Sequence, residues 1–203
     1  MDMSITKSIM DTLYRDIQGY DLSFSARKKL QFHDKGLTYG EIVPESFYKI
    51  LSQVNPQKDE VFYDLGSGTG KAVLAASLFF PFSKTVGVEL LDDLYDASQQ
   101  VLQRYQKEII PRLNTSNSPE IKFFQADFLD FDFSDADVIF AHATCFHDGQ
   151  LRELLHKFEK LKKGARLIIV SKKVDSHSYA LTNTSEHPFS WGQATLHFYE
   201  KIV

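Results

Sequence analysis

The sequence predicts an α/β protein built on an open, mostly parallel sheet of seven strands, with helices on both faces and an antiparallel hairpin at the C-terminal end. Three observations predict it. From Glu60 onward, apolar runs of strand length alternate with longer runs of helical spacing, the signature of right-handed βαβ units. A glycine-rich loop directly follows the first of these strands. The last two strand-like runs have no helix between them and so must fold back on one another.

The elements follow in order. Ile5, Ile9, Leu13 and Ile17 recur every four residues, with Met10 and Tyr14 alongside, predicting an amphipathic helix that Gly19-Tyr20-Asp21 stops. Ser25 to Phe32 reads as a second short helix before Gly36. Pro44 to Val54 is helical by the spacing of Phe47, Ile50, Leu51 and Val54, with Pro44 in the first turn, where a missing N–H costs little. Then come a strand at Val61-Phe62-Tyr63, a helix from Ala72 to Phe80, a strand from Thr85 to Val88, and a long helix from Asp92 to about Ile110, ended by Pro111. Asn114 to Pro119 is a polar loop, and Ile121 to Phe124 and Val138 to Phe140 are the next strands. Leu151 to Leu161 is a helix closed by Gly164, and Arg166 to Val170 is a β-branched strand. Tyr179 to Thr184 and Thr195 to Tyr199 form the hairpin.

At 203 residues and 43% hydrophobic, the chain can bury one complete core. A net charge of −4 and a pI of 6.0 argue against gripping nucleic acid, or a nucleosome, by charge. The basic runs Arg27-Lys28-Lys29 and Lys160 to Lys163 are short and read as solvated helix surface. The single cysteine, Cys145, excludes an internal disulfide or a thiolate zinc site and reads as a buried thiol. His177, Glu186, His187 and His197 lack a ligand spacing, so no metal is expected. Asp2, Lys7, Asp11, Arg15 and Asp16 interrupt the first segment, and no window reaches the roughly eighteen apolar residues of a membrane span. These features predict a soluble protein with no membrane partner, located in the cytoplasm, with the nucleus as the alternative.

Asp64-Leu65-Gly66-Ser67-Gly68-Thr69-Gly70 sits between a strand and a helix, the context for a nucleotide-like ligand. The letters do not make a phosphate loop: Lys71 is followed by Ala72, and Leu65 stands where that motif begins with glycine. Lys71 also occupies the place of a dinucleotide motif's third glycine. Asp64 at the loop mouth would repel a pyrophosphate but suits a cation, and S-adenosylmethionine carries a sulfonium and an ammonium with no phosphate. Glu89, about twenty residues beyond the glycines, is placed to accept from a ribose diol. Asp127 can accept from an adenine amino group while Phe128 flanks the ring. Three acids at successive strand tips therefore predict one crevice for that cofactor.

Thr38-Tyr39-Gly40-Glu41, Asp64-Leu65-Gly66-Ser67-Gly68, Gly87-Val88-Glu89, Asp127-Phe128 and Leu161-Lys162-Lys163-Gly164 resemble, in order and spacing, the catalytic domain of the disruptor-of-telomeric-silencing family of histone lysine methyltransferases. The likeness runs from about Thr38 to the C-terminus. It implies a Rossmann-like class I methyltransferase fold, with a helical lid or brace over residues 1–37 and a catalytic domain over 38–203. It implies that Tyr39, Gly40, Glu41, Asp64, Gly66, Glu89, Asp127 and Phe128 contact S-adenosylmethionine, joined from the loop reading by Ser67, Gly68 and Gly70. Phe140 and Trp191 would line the acceptor channel. The family carries Asn where this chain has His142, has a channel tyrosine after the equivalent of Trp191 that has no counterpart here, and has a basic nucleosome-gripping extension that is missing.

Methyl transfer is an in-line displacement, so the protein chiefly aligns a lone pair and excludes water. Phe128, Phe140 and Trp191 would desolvate a lysine acceptor, and His142 would accept a hydrogen bond from its nitrogen or act as a base. The reading is an S-adenosylmethionine-dependent N-methyltransferase acting on a protein lysine. The alternatives are transfer to a small molecule or another protein nitrogen, and a cofactor-binding module without turnover.

Overall fold

A computed structural model describes residues 2–29, 37, 39–113 and 119–203. Thr38, Leu30 to Gly36 and most of the expected loop at Asn114 to Pro119 lie outside the described residues. The helices are α1 (Met3–Leu13), α2 (Gly19–Lys29), α3 (Pro44–Ser52), α4 (Lys71–Phe79), α5 (Asp92–Arg104) and α6 (Asp148–Phe158). The strands are β1 (Val61–Leu65), β2 (Lys84–Glu89), β3 (Glu120–Gln125), β4 (Val138–Ala141), β5 (Arg166–Val170), β6 (Tyr179–Phe189) and β7 (Gly192–Lys201).

The strands form one seven-stranded sheet in the order β3-β2-β1-β4-β5-β7-β6, and β7 and its partner β6 make the antiparallel end. The five strands from the β3 edge to β5 are parallel. Alternation along each strand sorts the core to the two faces. Phe62, Phe140, Ile168 and Phe198 point to one side, and Tyr63, Ile139, Leu167 and Tyr199 to the other. The first side carries α4, covered in turn by α1 and α3, and for that reason every α4 residue from Ala72 to Phe79 is buried. The second side carries α6, through Leu154 and Phe158. Connections run outward from β1 to β2 and β3, then return to β4 on its other flank. The crevice of an open α/β sheet forms at that reversal, beyond the carboxyl ends of β1 and β4.

Several boundaries differ from the sequence reading. Helix α1 ends at Leu13, not at Gly19, and Gly19 instead opens α2. The Arg104 guanidinium caps this exit by donating to the Leu13 carbonyl and pairing with Asp16, so one carbonyl that the helix cannot satisfy finds its donor across the fold. The buried stripe is Thr6, Ile9, Met10 and Leu13, with Ile5 half exposed and Ile17 past the helix end. The long helix keeps α geometry only to Arg104. A π turn at Tyr105–Ile109 and a 3-10 turn at Ile110–Arg112 follow. Pro111 supplies the reason, because its ring crowds the carbonyl four residues back and it has no N–H to donate. The hairpin strands are longer than predicted, and a bulge at Thr182 shifts their register between Leu181 and Asn183.

Candidate functional site: the crevice at the ends of β1 and β4

Asp64, at register with Phe140 of β4 and Gly87 of β2, leads from β1 into the glycine loop. Gly66, Gly68 and Gly70 have φ of 83°, 54° and 84°, a left-handed path that side-chain-bearing residues resist. Four of the loop's backbone donors are spent inside the protein. Gly66 and Ser67 both donate to the Val88 carbonyl, at 2.9 and 3.0 Å, and Gly70 donates to Ser67 at 2.9 Å. The Gly68 N–H donates to Glu89 Oε2 at 2.7 Å, and Leu91 N–H to Glu89 Oε1 at 2.8 Å. Glu89 thereby clamps the loop, and each oxygen keeps a lone pair for a further donor. A phosphate arriving at this loop would meet these amides already bonded and a carboxylate beside them.

Asp64 is 3% exposed, and its Oδ1 has no hydrogen-bond partner. Burial holds its carboxyl well above the usual carboxylate range, and the nearby Glu89 adds to the shift. Burial also raises Glu89, while the N–H groups of Leu91 and Gly68 pull the other way. Such a pair asks for a cation or for hydroxyl donors.

The crevice has two adjoining lobes. The larger, of about 690 Å³ and partly continuous with solvent, is lined by Gly66, Glu89, Leu91, Asp127, Phe128 and His142, among others. The smaller is bounded by Glu41, Asp64, Ser67, Lys71, Phe140 and His142. Tyr39, Gly40, Gly66 and His142 border both. The strap from Tyr39 to Ile42 closes over them. Tyr39 donates to Glu41 Oε1 at 2.8 Å and shares a 3.0 Å hydrogen bond with Thr69. Glu41 N–H donates to Ser190 Oγ, Ser190 N–H donates to the Glu41 carbonyl, and Ile42 bridges to Phe189, so the strap is stitched to the hairpin tip. The Tyr20 hydroxyl reaches Ser190 Oγ at 2.5 Å and brings α2 into the same closure.

The structure gathers most of the residues singled out in the sequence. Tyr39, Gly40, Glu41, Asp64, Gly66, Ser67, Glu89, Asp127 and Phe128 all border the crevice. Asp127 spends Oδ1 on the Leu129 N–H at 2.8 Å, and Phe128 stacks on Phe146 at 5.2 Å. Gly68 and Gly70 line neither lobe; they give close passage, Gly68 under the Tyr39 ring and Gly70 beside Phe123. The Phe140 ring is 2% exposed and packs edge-on against Phe47, so it reaches the small lobe from the core and does not wall an open channel.

His142 meets Phe189 and Trp191 edge-to-face, with centroids 5.4 and 5.5 Å away, and its Nε2 is buried without a partner. Burial pulls its pKa down to about 4, so at neutral pH it is an acceptor and not a proton store. Trp191 stacks on Phe189 and is 40% exposed at the hairpin turn. Sequence reasoning missed Leu91, Phe146, Gln150 and Lys71. Leu91 carried a signal, since it lies two residues past Glu89; Phe146 and Gln150 come from a 3-10 turn and the α6 entry, which no pattern marked.

Comparison with known proteins bears on this arrangement. A family model described as histone methylation protein DOT1 matches residues 25–198. The chain belongs to the DOT1 family. This DOT1-family chain is 32% identical over 139 residues to a Dictyostelium discoideum protein named histone-lysine N-methyltransferase, H3 lysine-79 specific, and 30% identical over 151 residues to one of the same name from Caenorhabditis elegans. The matches cover 66% and 71% of the chain but span only 7% and 16% of those relatives. Among solved structures, TrmN from Thermus thermophilus aligns over 87% of this chain and 53% of its own, with a TM-score of 0.61 and 19% identity. An RNA methyltransferase from Salinibacter ruber, solved with S-adenosyl-L-homocysteine, aligns over 78% and 91%, with a TM-score of 0.58 and 23% identity. The DOT1-family fold is thus the Rossmann-like one of class I methyltransferases.

Proposed function

We propose that the crevice binds S-adenosylmethionine and that the protein methylates a lysine side chain of a protein substrate. The observation that carries this reading is the pairing of a glycine loop whose amides are already bonded with two buried carboxylates, Asp64 and Glu89. Such a site rejects polyphosphates and favours a cationic nucleoside. Asp64, with a buried and unpartnered Oδ1, would receive the ammonium; the spare lone pairs of Glu89 would take the ribose hydroxyls. Asp127 and Phe128 border the larger lobe, where an adenine would sit. When bound, S-adenosylmethionine supplies an electrophilic methyl group on a sulfonium.

The remaining work belongs to the chain. A free lysine with a pKa of about 10.4 is about one part in a thousand neutral at pH 7.4, a handicap of roughly 4 kcal/mol. Phe128, Trp191 and the neutral ring of His142 would desolvate the amine and so favour its neutral form. His142 Nε2 would accept an N–H and thereby aim the nitrogen lone pair. Phe140 supports this wall from behind. Helices α1 and α2, within residues 1–37, act as a brace, since Tyr14 donates to the Thr69 carbonyl in the glycine loop at 3.1 Å and Tyr20 holds the hairpin tip.

The names of the relatives favour a histone as the protein, and hence chromatin over the cytoplasm as the place of action. With a net charge of −4 over this chain, recognition would rest on the acceptor segment, not on the grip of a basic surface on DNA. Incubation with radiolabelled S-adenosylmethionine and cell extract, then mass spectrometry of the labelled band, should find methyl-lysine. Label confined to a small metabolite would refute the protein substrate, and tighter binding of NAD than of S-adenosylmethionine would refute the cofactor.

A further inference from the structure

Among the described residues that line the two lobes, three buried side-chain atoms have no hydrogen-bond partner: Asp64 Oδ1, Ser67 Oγ and His142 Nε2. Two of them lie on the cofactor side. Asp64 is near the end of β1, and the Ser67 hydroxyl faces Gly87 of β2, 2.6 Å from where a β-carbon on that glycine would stand. His142 follows β4 and lies between the strap and the hairpin tip, its Cε1 3.5 Å from where a β-carbon on Gly40 would stand and its ring edge-to-face with Phe189 and Trp191. Burial keeps that ring neutral at physiological pH, and a hydrogen bond to the residue's own backbone pulls the other way. A bond that raises the pKa is one in which the ring donates, and Nδ1 is the nitrogen within reach of its own main chain. Nε2 is therefore the acceptor.

A nitrogen that meets this acceptor has two demands to satisfy at once: its lone pair must lie along the S–C bond of the sulfonium, and an N–H must be left for Nε2. In each transfer the lone pair forms the N–C bond as the S–C bond breaks, the S–C electrons stay on sulfur, and the new ammonium loses a proton to water before it can react again. A neutral lysine amine has a lone pair and two N–H groups, and its monomethyl product has a lone pair and one. The neutral dimethyl amine has a lone pair and none. With that lone pair on the sulfonium, it would press a methyl group against Nε2 and leave a buried acceptor unpaired. Protonated, it would give its single N–H to Nε2 and have no lone pair to react.

We propose that His142 sets the number of methyl groups: its buried Nε2 requires an N–H on the incoming nitrogen, so the protein makes mono- and dimethyl-lysine and stops there. This limit rests on the lysine-methylation reading and adds a product specificity to it. The edge-to-face contacts with Phe189 and Trp191 hold the ring, so Nε2 does not turn aside to admit a third methyl group.

Prolonged incubation of the full chain with radiolabelled S-adenosylmethionine and heat-inactivated cell extract, then acid hydrolysis and chromatography of the methyl-lysines, tests the limit whichever protein is the substrate. The wild type should label mono- and dimethyl-lysine, with trimethyl-lysine lower by about a hundredfold or more. Trimethyl-lysine labelled as strongly as dimethyl-lysine would overturn the limit. His142→Phe keeps an aromatic ring and removes the acceptor: total transfer should fall, and at equal total label the trimethyl share should rise about tenfold or more. An unchanged share would overturn the role of His142. Should that variant fail to fold by thermal melting, His142→Leu removes the same acceptor and is read in the same way, and the wild-type distribution stands as a test without either. Absence of any labelled methyl-lysine from the wild type refutes the lysine reading itself and is recognisable as such.

Discussion

The Trp191 indole lies against the backbone of Gly40, so closely that a β-carbon at position 40 would stand 2.6 Å from the indole Nε1. This contact joins the strap over the crevice to the hairpin tip, and it needs a residue without a side chain on the strap. Gly40→Ala should cost about 1–3 kcal/mol of stability by overpacking. Trp191 is the chain's one tryptophan, so its displacement should appear directly as a red-shifted emission. Unchanged emission and melting temperature would show that the contact has slack.

Trp191 itself is 40% exposed and lines neither lobe, meeting the crevice only through its edge-to-face contact with His142. Trp191→Ala should lower the methyl-transfer rate about tenfold or more while S-adenosylmethionine affinity stays within about twofold, the pattern for a side chain that acts on the acceptor and not on the cofactor. Parallel loss of both quantities would place its role in holding the strap closed.

Glu89 serves the loop and the ligand with the same carboxylate. Glu89→Ala should cut S-adenosylmethionine affinity by about 1.5–3 kcal/mol, the scale for charge-assisted hydrogen bonds. Because the Gly68 N–H loses its acceptor too, hydrogen exchange at Gly68 should accelerate in the same variant. Affinity equal to wild type would remove Glu89 from the ribose.

Asp64 is a liability to the empty fold. Its carboxyl titrates above the ordinary range, so its contribution to stability is present at acid pH and is lost as pH rises towards its folded pKa. Asp64→Asn should therefore raise the melting temperature of the ligand-free protein above neutral pH, by about 2–4 °C per kcal/mol gained, while weakening S-adenosylmethionine. A lower melting temperature for the variant at pH 8 would contradict this trade.

His142 has the opposite sign. Its folded pKa of about 4 lies below the unfolded 6.5, so the unfolded chain binds more protons and stability falls as pH drops from 6.5 to 4. His142→Asn should flatten that fall, whose ceiling is roughly 3 kcal/mol. His142 should add no break of its own to the pH–rate profile between neutral pH and about pH 4, where the rate falls as the lysine acceptor becomes more fully protonated. An acidic limb centred near pH 6 and abolished by His142→Asn would show a ring far more solvated than its burial indicates.

The alternation of strand and helix was legible because each unit buries one face and ends in a glycine, proline or acid. The crevice acids were legible because each follows a run of strand-forming residues, Asp64 and Glu89 at the carboxyl ends of β1 and β2 and Asp127 two residues past β3. Gly19 misled, since glycine more often follows a helix than opens one, whereas here α1 ends earlier, where Arg104 reaches Leu13, and Gly19 opens α2. Phe140 misled for another reason. In a strand buried on both faces every residue is apolar, so the letters do not tell which ring meets Phe47 and which meets a ligand. Lys71 was visible only as a broken motif, and its cation gains meaning from Glu41, thirty positions away.

The glycine loop has its amides committed before any ligand arrives, with Gly66 and Ser67 on Val88 and Gly68 on Glu89. A cell is crowded with adenosine compounds, and most carry phosphates. To such molecules this crevice presents acids in place of donors, so the commonest adenosine metabolites are poor competitors however well their adenine would fit. The same refusal bears on inhibitor chemistry: adenosines extended by a cationic or zwitterionic arm should occupy the site, and those extended by phosphate should not.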